Sequence, residues 1–365
     1  MMSGSRMDNK KVFAVTVQGS NHINSGKECQ DYSIAVHSEK HFYETWVGKD
    51  NTGKPKNQSP LKAKPFCSMA IVADGHGGDA YPRSARGSQF AAESARHCIA
   101  EFLRAKKKEP SRVARPENSV PSEQEVKQLV RSVVKEWNDR VEEDLDAKPL
   151  GSSERSVFSE KVNAKDKVPR HVYGTTLIAA ITTENYWFGF HIGDGRCTVL
   201  NEDGSFAQPI PWDDRCFLNV TSSICDDDAA ERARVYIARD KPIAIFVCSD
   251  GIEDSYPVND NDKYLAKFYR TLAISFAERD FDDVCTDIKE ALPVMSKKGS
   301  GDDMSLAGIF DKTALEQIKP VLKEKIAAQK KDALIREAVS LVDEKASQMD
   351  PDTTIEPGKS VNITA

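Results

Sequence analysis

Short apolar runs, rich in β-branched and aromatic residues, recur along most of the chain. Runs of this length and composition are typical of β-strands. We predict strands at residues 12–19, 32–36, 69–73, 173–182, 186–200, 235–238, 244–248 and 304–310. Glu202-Asp203-Gly204 has the composition of a hairpin turn. Further along the first third, residues 41–47 favour another strand and the polar residues 49–64 favour a surface loop.

Other segments repeat their apolar residues every three or four positions, which predicts amphipathic helices. Residues 84–105 and 122–147 follow this pattern, and Ser122 with Glu125 resembles a capping box at the start of the second helix. Residues 20–26 favour a turn. Later helices are predicted at 262–278, 281–292 and 315–347, the last broken or restarted at Pro320 because proline removes a backbone donor.

The order of these elements favours one fold class. Strands lie toward both ends of the chain with two long helices between them, which does not fit alternating βαβ units and a parallel sheet. We therefore predict an α+β fold, in which an antiparallel β-sandwich is flanked by α-helices.

Several of the predicted strands begin or end at an acidic residue beside glycine. Residues 69–73 run into Asp74, and Gly75 follows it. The same arrangement recurs at Asp194, Asp250 and Asp302, and Asp31 directly precedes the strand at residues 32–36. If these strand ends meet, their carboxylates repel by about 4 kcal/mol per pair at 4 Å and a dielectric of 20, so such a cluster needs cations. Oxygen-only ligands favour magnesium, manganese or calcium over zinc.

Each of these residues also has a purely structural interpretation. Asp-Gly is a common turn dipeptide, which gives Asp74 a turn interpretation, and Asp31 could cap a turn. His76 could serve as a general acid or could make a structural hydrogen bond. Asp303 is interpreted as a turn residue or as a residue that supports the ligands, rather than as a ligand itself. Thr175 and Thr176 are interpreted as structural, and most of the other histidines as ordinary core or surface residues.

Five motifs occur in the order seen in one enzyme family. They are Asp74-Gly75-His76-Gly77-Gly78, Gly174-Thr175-Thr176, Gly193-Asp194-Gly195-Arg196, Ser249-Asp250-Gly251 and Gly301-Asp302-Asp303-Met304-Ser305. Together they resemble the metal-dependent protein phosphatases of type 2C, the PPM family. Residues 19–22 and 26–31 look like the opening motif of a bacterial branch. The resemblance runs from about residue 12 to residue 310 and implies a four-layer αββα fold.

The resemblance also implies a mechanism, in which two metal ions share one carboxylate and activate a bridging water that attacks the phosphoryl group. By motif, Asp74 would be the shared ligand and the Gly75 carbonyl would bind one ion. Asp250 and Asp302 would complete the other ion. Asp31 would act through a metal-bound water, and His76 would protonate the leaving alkoxide.

Two further roles are open. Asp194, together with Asp250, is expected to hold a third and weaker ion, as in bacterial relatives. Many relatives carry an arginine that grips the phosphate shortly before the first acidic pair, but residues 25–30 contain none. Lys27, with His22 on the preceding turn, is the nearest candidate for this substrate-binding role. Gln30 and Gly195 also depart from the usual family residues.

Composition restricts the partners. The chain has 365 residues, 51 Lys and Arg against 57 Asp and Glu, and a net charge of −6. Without a long basic stripe we expect no nucleic-acid partner, and without a long apolar run we expect no membrane span. The N-terminus lacks an apolar segment typical of a secretory signal. Eight scattered cysteines favour reduced thiols in a cytoplasmic protein. We expect a monomer.

These observations predict a phosphatase domain at residues 12–312. An extension or cloning remnant at 1–11 precedes it, and a helical segment at 313–349 and a disordered tail at 350–365 follow it. The predicted activity is manganese- or magnesium-dependent hydrolysis of phosphoserine and phosphothreonine in proteins, opposing a Ser/Thr kinase. One alternative is a pseudophosphatase that keeps the fold as a binding or regulatory module. Another is a calcium-stabilised structural β domain.

Overall fold

The computed structural model describes residues 10–37, 67–108, 120–155, 169–216 and 221–348. The strand expected at 41–47, the loop expected at 49–64 and the tail expected at 350–365 lie outside the described residues. Contacts divide the chain into two units, Met1–Lys319 and Pro320–Ala365. Every strand described below belongs to the first unit.

Within the described residues, ten strands form two five-stranded sheets in which all neighbouring strands are antiparallel. One sheet has the order β1-β10-β9-β6-β7 and the other has the order β2-β3-β4-β5-β8. The strands are β1 Lys10–Val17, β2 Tyr32–His37, β3 Cys67–Ala73, β4 Leu177–Thr183, β5 Trp187–Ile192, β6 Arg196–Leu200, β7 Phe206–Ala207, β8 Arg234–Ala238, β9 Ala244–Cys248 and β10 Met304–Asp311. Each strand predicted within the described residues is present, although the run at 173–182 becomes a strand only at Leu177.

The two sheets pack face to face through residues that alternate along each strand, as the two-residue period of a strand requires. In β3, Ala70 and Val72 lie between the sheets, whereas Met69, Ile71 and Ala73 face the helices. The core between the sheets contains Ala70, Val72, Ile178, Ala180, Trp187, Cys197, Val199, Ile245, Val247, Ala307 and Ile309. The sandwich is therefore closed by small and branched side chains from both sheets.

Helices cover both outer faces. The described helices are α1 Ser20–Ser25, α2 Ser84–Lys108, α3 Glu123–Ala147, α4 Ala229–Arg232, α5 Asp250–Glu253, α6 Asn261–Glu278, α7 Phe281–Lys298 and α8 Lys312–Gln348. α2 and α3 pack against the sheet that contains β2 and β3. α6 packs against the other sheet through aromatic rings, with the centroids of Phe276 and Phe310 4.5 Å apart. These four layers confirm the predicted fold class.

The start of α3 confirms the predicted capping box. The Ser122 hydroxyl accepts a hydrogen bond from the Glu125 amide, and the Glu125 carboxylate accepts one from the Ser122 amide. The predicted apolar stripe is buried from Val126 to Val141. Within it, the Trp137 indole donates to the Gly87 carbonyl of α2 at 3.0 Å, which fixes one helix on the other.

Three local predictions were wrong. Residues 20–26 form α1, which ends at Gly26 in the left-handed region at φ 69°, rather than a simple turn. α7 continues through Pro293 to Lys298, and α8 continues through Pro320. A proline removes one helical hydrogen bond, but neighbouring packing can outweigh that loss. In α7, Leu292 and Ser296 are buried on either side of Pro293.

No helix in the described ranges combines the length and the apolar character that crossing a bilayer requires.

Candidate active site

Strand register brings the acidic strand ends to one end of the sandwich. Tyr32 pairs with Ala73, so Asp31, just before β2, lies beside Asp74, just after β3. Cys248 pairs with both Leu306 and Arg196, which aligns the ends of β9, β10 and β6. Asp250, Asp302 and Asp194 lie just beyond those paired residues. The sequence predicted that these ends could meet, and the two-sheet topology explains why they do.

The alternation of side chains also sets their direction. Asp74 continues the positions of Ala70 and Val72, which face the space between the sheets. Ser249 likewise continues the positions of Ile245 and Val247 in β9. Its hydroxyl donates to the Asp31 carboxylate at 2.7 Å, joining one sheet to the other at this end.

The backbone around Asp74 is held from the side of β4. The Asp74 amide donates to the Thr176 hydroxyl at 3.1 Å, and the Thr176 amide donates to the Asp74 carbonyl at 2.8 Å. The Thr175 hydroxyl donates to the same carbonyl at 2.7 Å. Thr175 and Thr176 therefore position Asp74 through its main chain.

The carboxylates raise one another's pKa. Burial, followed by the neighbouring carboxylates, raises the pKa of Asp31 and Asp74 well above the usual range. Burial, together with Asp194 and Asp302, raises the pKa of Asp250 to about 7. Burial is also the main cause that raises the pKa of Asp194.

No Lys or Arg in the described part of the chain forms an ion pair with Asp31, Asp74, Asp250 or Asp302. Such a group of carboxylates is costly unless protons or cations neutralise it. Asp31 is buried, Asp74 is partly exposed and Asp302 is exposed, so the cluster opens to solvent on one side. Oxygen ligands that are charged, converging and accessible fit a hard divalent cation.

Gly75 follows Asp74 where two segments approach closely. Its amide donates to the Gln30 carbonyl at 3.1 Å. A Cβ at this position would lie 2.4 Å from that carbonyl oxygen and 2.9 Å from the Ser84 carbonyl oxygen. Only glycine allows this approach, which keeps the loop after β3 against the start of β2.

His76 occupies the same loop and is held by its neighbours. Its amide donates to the Gly174 carbonyl at 3.1 Å, and its ring meets the Tyr81 ring edge to face with centroids 4.7 Å apart. A Cβ on Gly174 would lie 2.6 Å from both rings. The imidazole is thus oriented two residues after Asp74.

Asp303 connects three segments. Its carboxylate accepts hydrogen bonds from the Gly19 amide at 2.6 Å, the Gln30 amide at 2.6 Å and the His22 Nδ1 at 2.8 Å. Asp303 is buried, unlike the adjacent Asp302. This carboxylate ties the N-terminal segment to the loop before β10.

The two residues expected to bind phosphate differ in environment. His22 is buried by its contact with Asp303. Lys27 is more exposed, and its ammonium donates to the Gly77 carbonyl at 3.1 Å and lies 3.4 Å from the Asp79 carboxylate. Lys27 therefore reaches the loop that carries Asp74 and His76. His22 instead contacts the buried Asp303 carboxylate.

Asp194 has partners that the sequence analysis missed. The Thr221 hydroxyl donates to its carboxylate, and the Arg234 guanidinium donates to the adjacent Gly193 carbonyl. The sequence analysis also missed the contact between Ser249 and Asp31. The two-residue period of β9 could have indicated it, because this period directs the Ser249 side chain between the sheets. Thr221 and Arg234 both lie within residues 209–234, where the apolar residues show no clear period.

Solved structures of low sequence identity match most of the chain. The S. agalactiae serine/threonine phosphatase is 13% identical, covers 82% of this chain and 99% of its own, and gives a TM-score of 0.47. A second match is the catalytic domain of the serine/threonine protein phosphatase PstP in complex with two manganese ions. It is 14% identical, covers 82% of this chain and 97% of its own, and gives a TM-score of 0.45. PppA of Pseudomonas aeruginosa is 13% identical over 82% and 97%, with a TM-score of 0.46.

No curated protein sequence matches the chain. A family model does: the model described as protein phosphatase 2C matches residues 58–292, which is more than half of the chain. That match includes the motifs at Asp74, Asp194 and Asp250, which the structure places at one end of the sandwich. The chain belongs to the protein phosphatase 2C family.

Proposed function

We propose that this chain is a manganese- or magnesium-dependent phosphatase that acts on phosphoserine and phosphothreonine in proteins. Its substrates would be proteins that a Ser/Thr kinase has phosphorylated. The observation that carries the proposal is the convergence of Asp31, Asp74, Asp250 and Asp302 without a Lys or Arg ion pair among the described residues. Family membership supports the same reaction.

The positions of the side chains support the ligand assignment that the family resemblance implies. Asp74 is central, because the carboxylates of Asp31, Asp250 and Asp302 all act on it. Asp74 would be the shared ligand, with the Gly75 carbonyl on one side and Asp250 and Asp302 on the other. Asp31, held by Ser249, would act through bound water. Two such cations would supply an activated water nucleophile and neutralise charge on the phosphoryl group.

His76 would donate a proton to the leaving serine or threonine oxygen. An imidazole can do so near neutral pH, and the edge of Tyr81 orients this one. Lys27 would attract the outer phosphate oxygens as a point charge. His22 would support this loop through Asp303.

The proposal includes a third, more weakly bound ion between Asp194 and Asp250. The two carboxylates interact, as the raised pKa of Asp250 reflects. Burial raises the pKa of Asp194 overall, and the positive charge of the Arg234 guanidinium partly opposes this rise. A cation there would compete with Arg234 and bind less tightly than one at Asp74.

The alternative is a pseudophosphatase that binds phosphoproteins without turnover. One observation favours it: no arginine occurs in residues 25–30, and the Lys27 ammonium is already engaged with Gly77 and Asp79. The intact carboxylate cluster favours the enzyme, because a binding module would not need that electrostatic cost.

Hydrolysis of a generic aryl phosphate, measured with manganese, with magnesium and with a chelator, tests the proposal. We expect metal-dependent turnover that Asp74→Asn abolishes while the protein stays folded. Asp283→Asn, an identical change on the exposed face of α7, is the matched control and should retain activity. Activity above about a tenth of wild type in Asp74→Asn would contradict the two-metal assignment. Absence of turnover with any metal would support the pseudophosphatase.

A further inference from the structure

A second group of potential metal ligands lies between α2 and α3, in the outer helical layer. It consists of His97, Cys98 and Glu136, whose ligand atoms all lie within 4.8 Å of one another. His97 Nδ1 is 2.6 Å from Glu136 Oε2, and Cys98 Sγ is 3.3 Å from the same oxygen. No sequence pattern predicts this group, because 38 residues separate Cys98 from Glu136.

We propose that His97, Cys98 and Glu136 form a zinc site. Imidazole nitrogen, thiolate sulfur and carboxylate oxygen are the three ligand types that zinc combines in proteins. The sulfur ligand distinguishes this group from the oxygen-only cluster at the end of the sandwich, which suits harder ions. The two sites therefore differ in the metal that each prefers.

Glu136 is already oriented for such a role. Its Oε1 accepts hydrogen bonds from Arg140 Nε at 3.3 Å and Nη2 at 3.1 Å. Arg140 is itself fixed by Glu93, which its Nη1 contacts at 2.8 Å. Oε2 is the oxygen directed at His97 and Cys98. Partners that orient a ligating carboxylate in this way are a regular feature of metal sites.

The two distances to Glu136 Oε2 require only a small adjustment. Zinc bonds of about 2.0–2.3 Å with tetrahedral angles separate neighbouring ligand atoms by about 3.3–3.7 Å. The separation of 3.3 Å between Cys98 Sγ and Glu136 Oε2 already meets this range. The His97 contact of 2.6 Å would have to widen by about 0.7 Å. A rotation of the partly exposed imidazole can supply that movement.

Ions can reach the group from solvent. The side chains of His97 and Glu136 are 32% and 18% exposed, while Cys98 is 9% exposed. A groove of about 350 Å³ between the two helices also reaches Cys98. Three protein ligands leave a fourth position for water.

Binding exchanges hydrogen bonds for metal bonds. The Cys98 thiol releases its proton to solvent and binds as thiolate. Neutral His97 gives its Nδ1 proton to solvent while Nε2 takes up one proton from solvent, so that Nδ1 binds the ion through its lone pair. Glu136 Oε2, which had accepted from both, becomes the third ligand. Since burial and Glu136 raise the pKa of Cys98, the thiol keeps its proton until an ion arrives. The ion would link α2 to α3.

Cobalt(II) titration of the full chain tests the proposal. Cobalt bound to thiolate gives a charge-transfer absorption that cobalt at an all-oxygen site does not. We expect one equivalent of this band in wild type, its displacement by zinc, and its loss in Cys98→Ser. Cys285→Ser, on α7, is the matched thiol control and should keep the band. Asp74→Asn should also keep it, which separates this site from the proposed active site.

A second measurement covers a folding failure of Cys98→Ser. Zinc should raise the melting temperature of wild type, and Glu136→Gln should remove that increase. Absence of the band in wild type, or its persistence in Cys98→Ser, would overturn the proposal. So would its loss in Cys225→Ser, because Cys225 belongs to a separate group with His171 and Asp226.

Discussion

Two adjacent aspartates show how strongly position determines what a residue does. Asp303 is buried and accepts hydrogen bonds from Gly19, His22 and Gln30. Asp302 is exposed and its Oδ1 accepts one, from the Asp303 amide at 2.8 Å. The first carboxylate is engaged by the protein and the second is available to a cation.

The same substitution should therefore have opposite effects at these two positions. Asp303→Asn replaces a carboxylate oxygen with an amide donor that faces other donors, so we expect the free energy of unfolding to fall by about 1–3 kcal/mol. Asp302→Asn should leave the melting temperature of the metal-free protein nearly unchanged and sharply reduce metal-dependent activity. Thermal melts in chelator, paired with turnover assays, measure both. Equal stability of the two variants would contradict the distinction.

His76 should matter in proportion to the basicity of the leaving group. We expect His76→Ala to reduce kcat on phosphopeptides by roughly 10²–10⁴, because a serine alkoxide needs a proton. The loss on nitrophenyl phosphate should be much smaller, since nitrophenolate leaves without one. Tyr81→Phe, which keeps the ring against His76, is a suitable control. Equal losses on both substrates would argue against proton donation.

Lys27 offers a test of how the phosphate is gripped. If its ammonium attracts phosphate, Lys27→Ala should lower kcat/KM on phosphopeptides about tenfold or more, equivalent to about 1.4 kcal/mol, and Lys27→Arg should retain activity. Asp79→Asn removes the carboxylate 3.4 Å from this ammonium and should leave kcat/KM unchanged or raise it. A parallel loss in Asp79→Asn would instead indicate that the pair only braces the loop.

At the scale of residues, the sequence predicted the acidic strand ends but not their partners. The acids are recognisable in the sequence because each lies at the end of an apolar run, and all but Asp31 lie beside a glycine. The hydroxyl of Ser249 that contacts Asp31 comes from 218 residues away, and Asp303 contacts Gly19 across 284 residues. Such distant pairs follow from strand register, which a single sequence does not display.

Among the elements, the packing of α2 on the segment before β4 has the least tolerance. A Cβ on Gly87 would lie 1.9 Å from the Tyr173 carbonyl oxygen, at the end of the 3₁₀ helix Pro169–Tyr173. The residues directly after Tyr173 carry the Thr175 and Thr176 contacts that hold Asp74. Displacing α2 here would therefore reach the candidate active site.

We expect Gly87→Ala to lower the free energy of unfolding by about 1–3 kcal/mol, because backbone must move to admit the methyl group. Metal-dependent turnover should fall as well. Gly151→Ala is the control, since its Cβ would meet only the Glu154 carboxylate at an ordinary 3.5 Å. Thermal melts and turnover of the two variants measure the difference. Similar behaviour of both would show that α2 can shift without cost.

Element types were largely predictable because their signals are local. The capping box at Ser122 and the apolar stripe of α3 depend on residues within a few turns of one another. The errors occurred where packing overrides local preference. α7 continues through Pro293 between buried neighbours, and α1 forms from residues of turn-like composition.

For the whole molecule, the carboxylate cluster links stability to pH and to metal. Asp250 has a pKa of about 7 in the folded, metal-free chain against an ordinary value of 3.8. The folded state therefore binds more protons than the unfolded state between these values. The favourable contribution is complete below about 3.8 and is lost as pH rises through about 7.

We accordingly expect the metal-free protein to lose stability as pH rises from about 4 to about 7, more steeply in wild type than in Asp250→Asn. Manganese should raise the melting temperature most above neutral pH, where the carboxylates are ionised. Melting temperatures in chelator and in manganese across this range measure both effects. Identical pH dependence in wild type and Asp250→Asn would contradict the electrostatic account.

The sandwich itself was predictable from the order of strands and helices, since the two long helices exclude a parallel sheet. What could not be predicted is which strands pair. β1 pairs with β10, so strands from opposite ends of the domain belong to one sheet. β2, the strand after β1, instead pairs with β3 in the other sheet. Register across such separations depends on the three-dimensional fit of two apolar faces rather than on any local pattern.

The tie between Asp303 and the N-terminal segment has a consequence for biosynthesis. Gly19 leaves the ribosome 284 residues before its partner Asp303. At about 5–20 residues per second, that interval lasts roughly a quarter of a minute to a minute. During this time β1 lacks its partner β10, and Asp302 has not joined Asp74. A growing chain would therefore lack the assembled carboxylate cluster, which would be complete only once both ends of the domain had met.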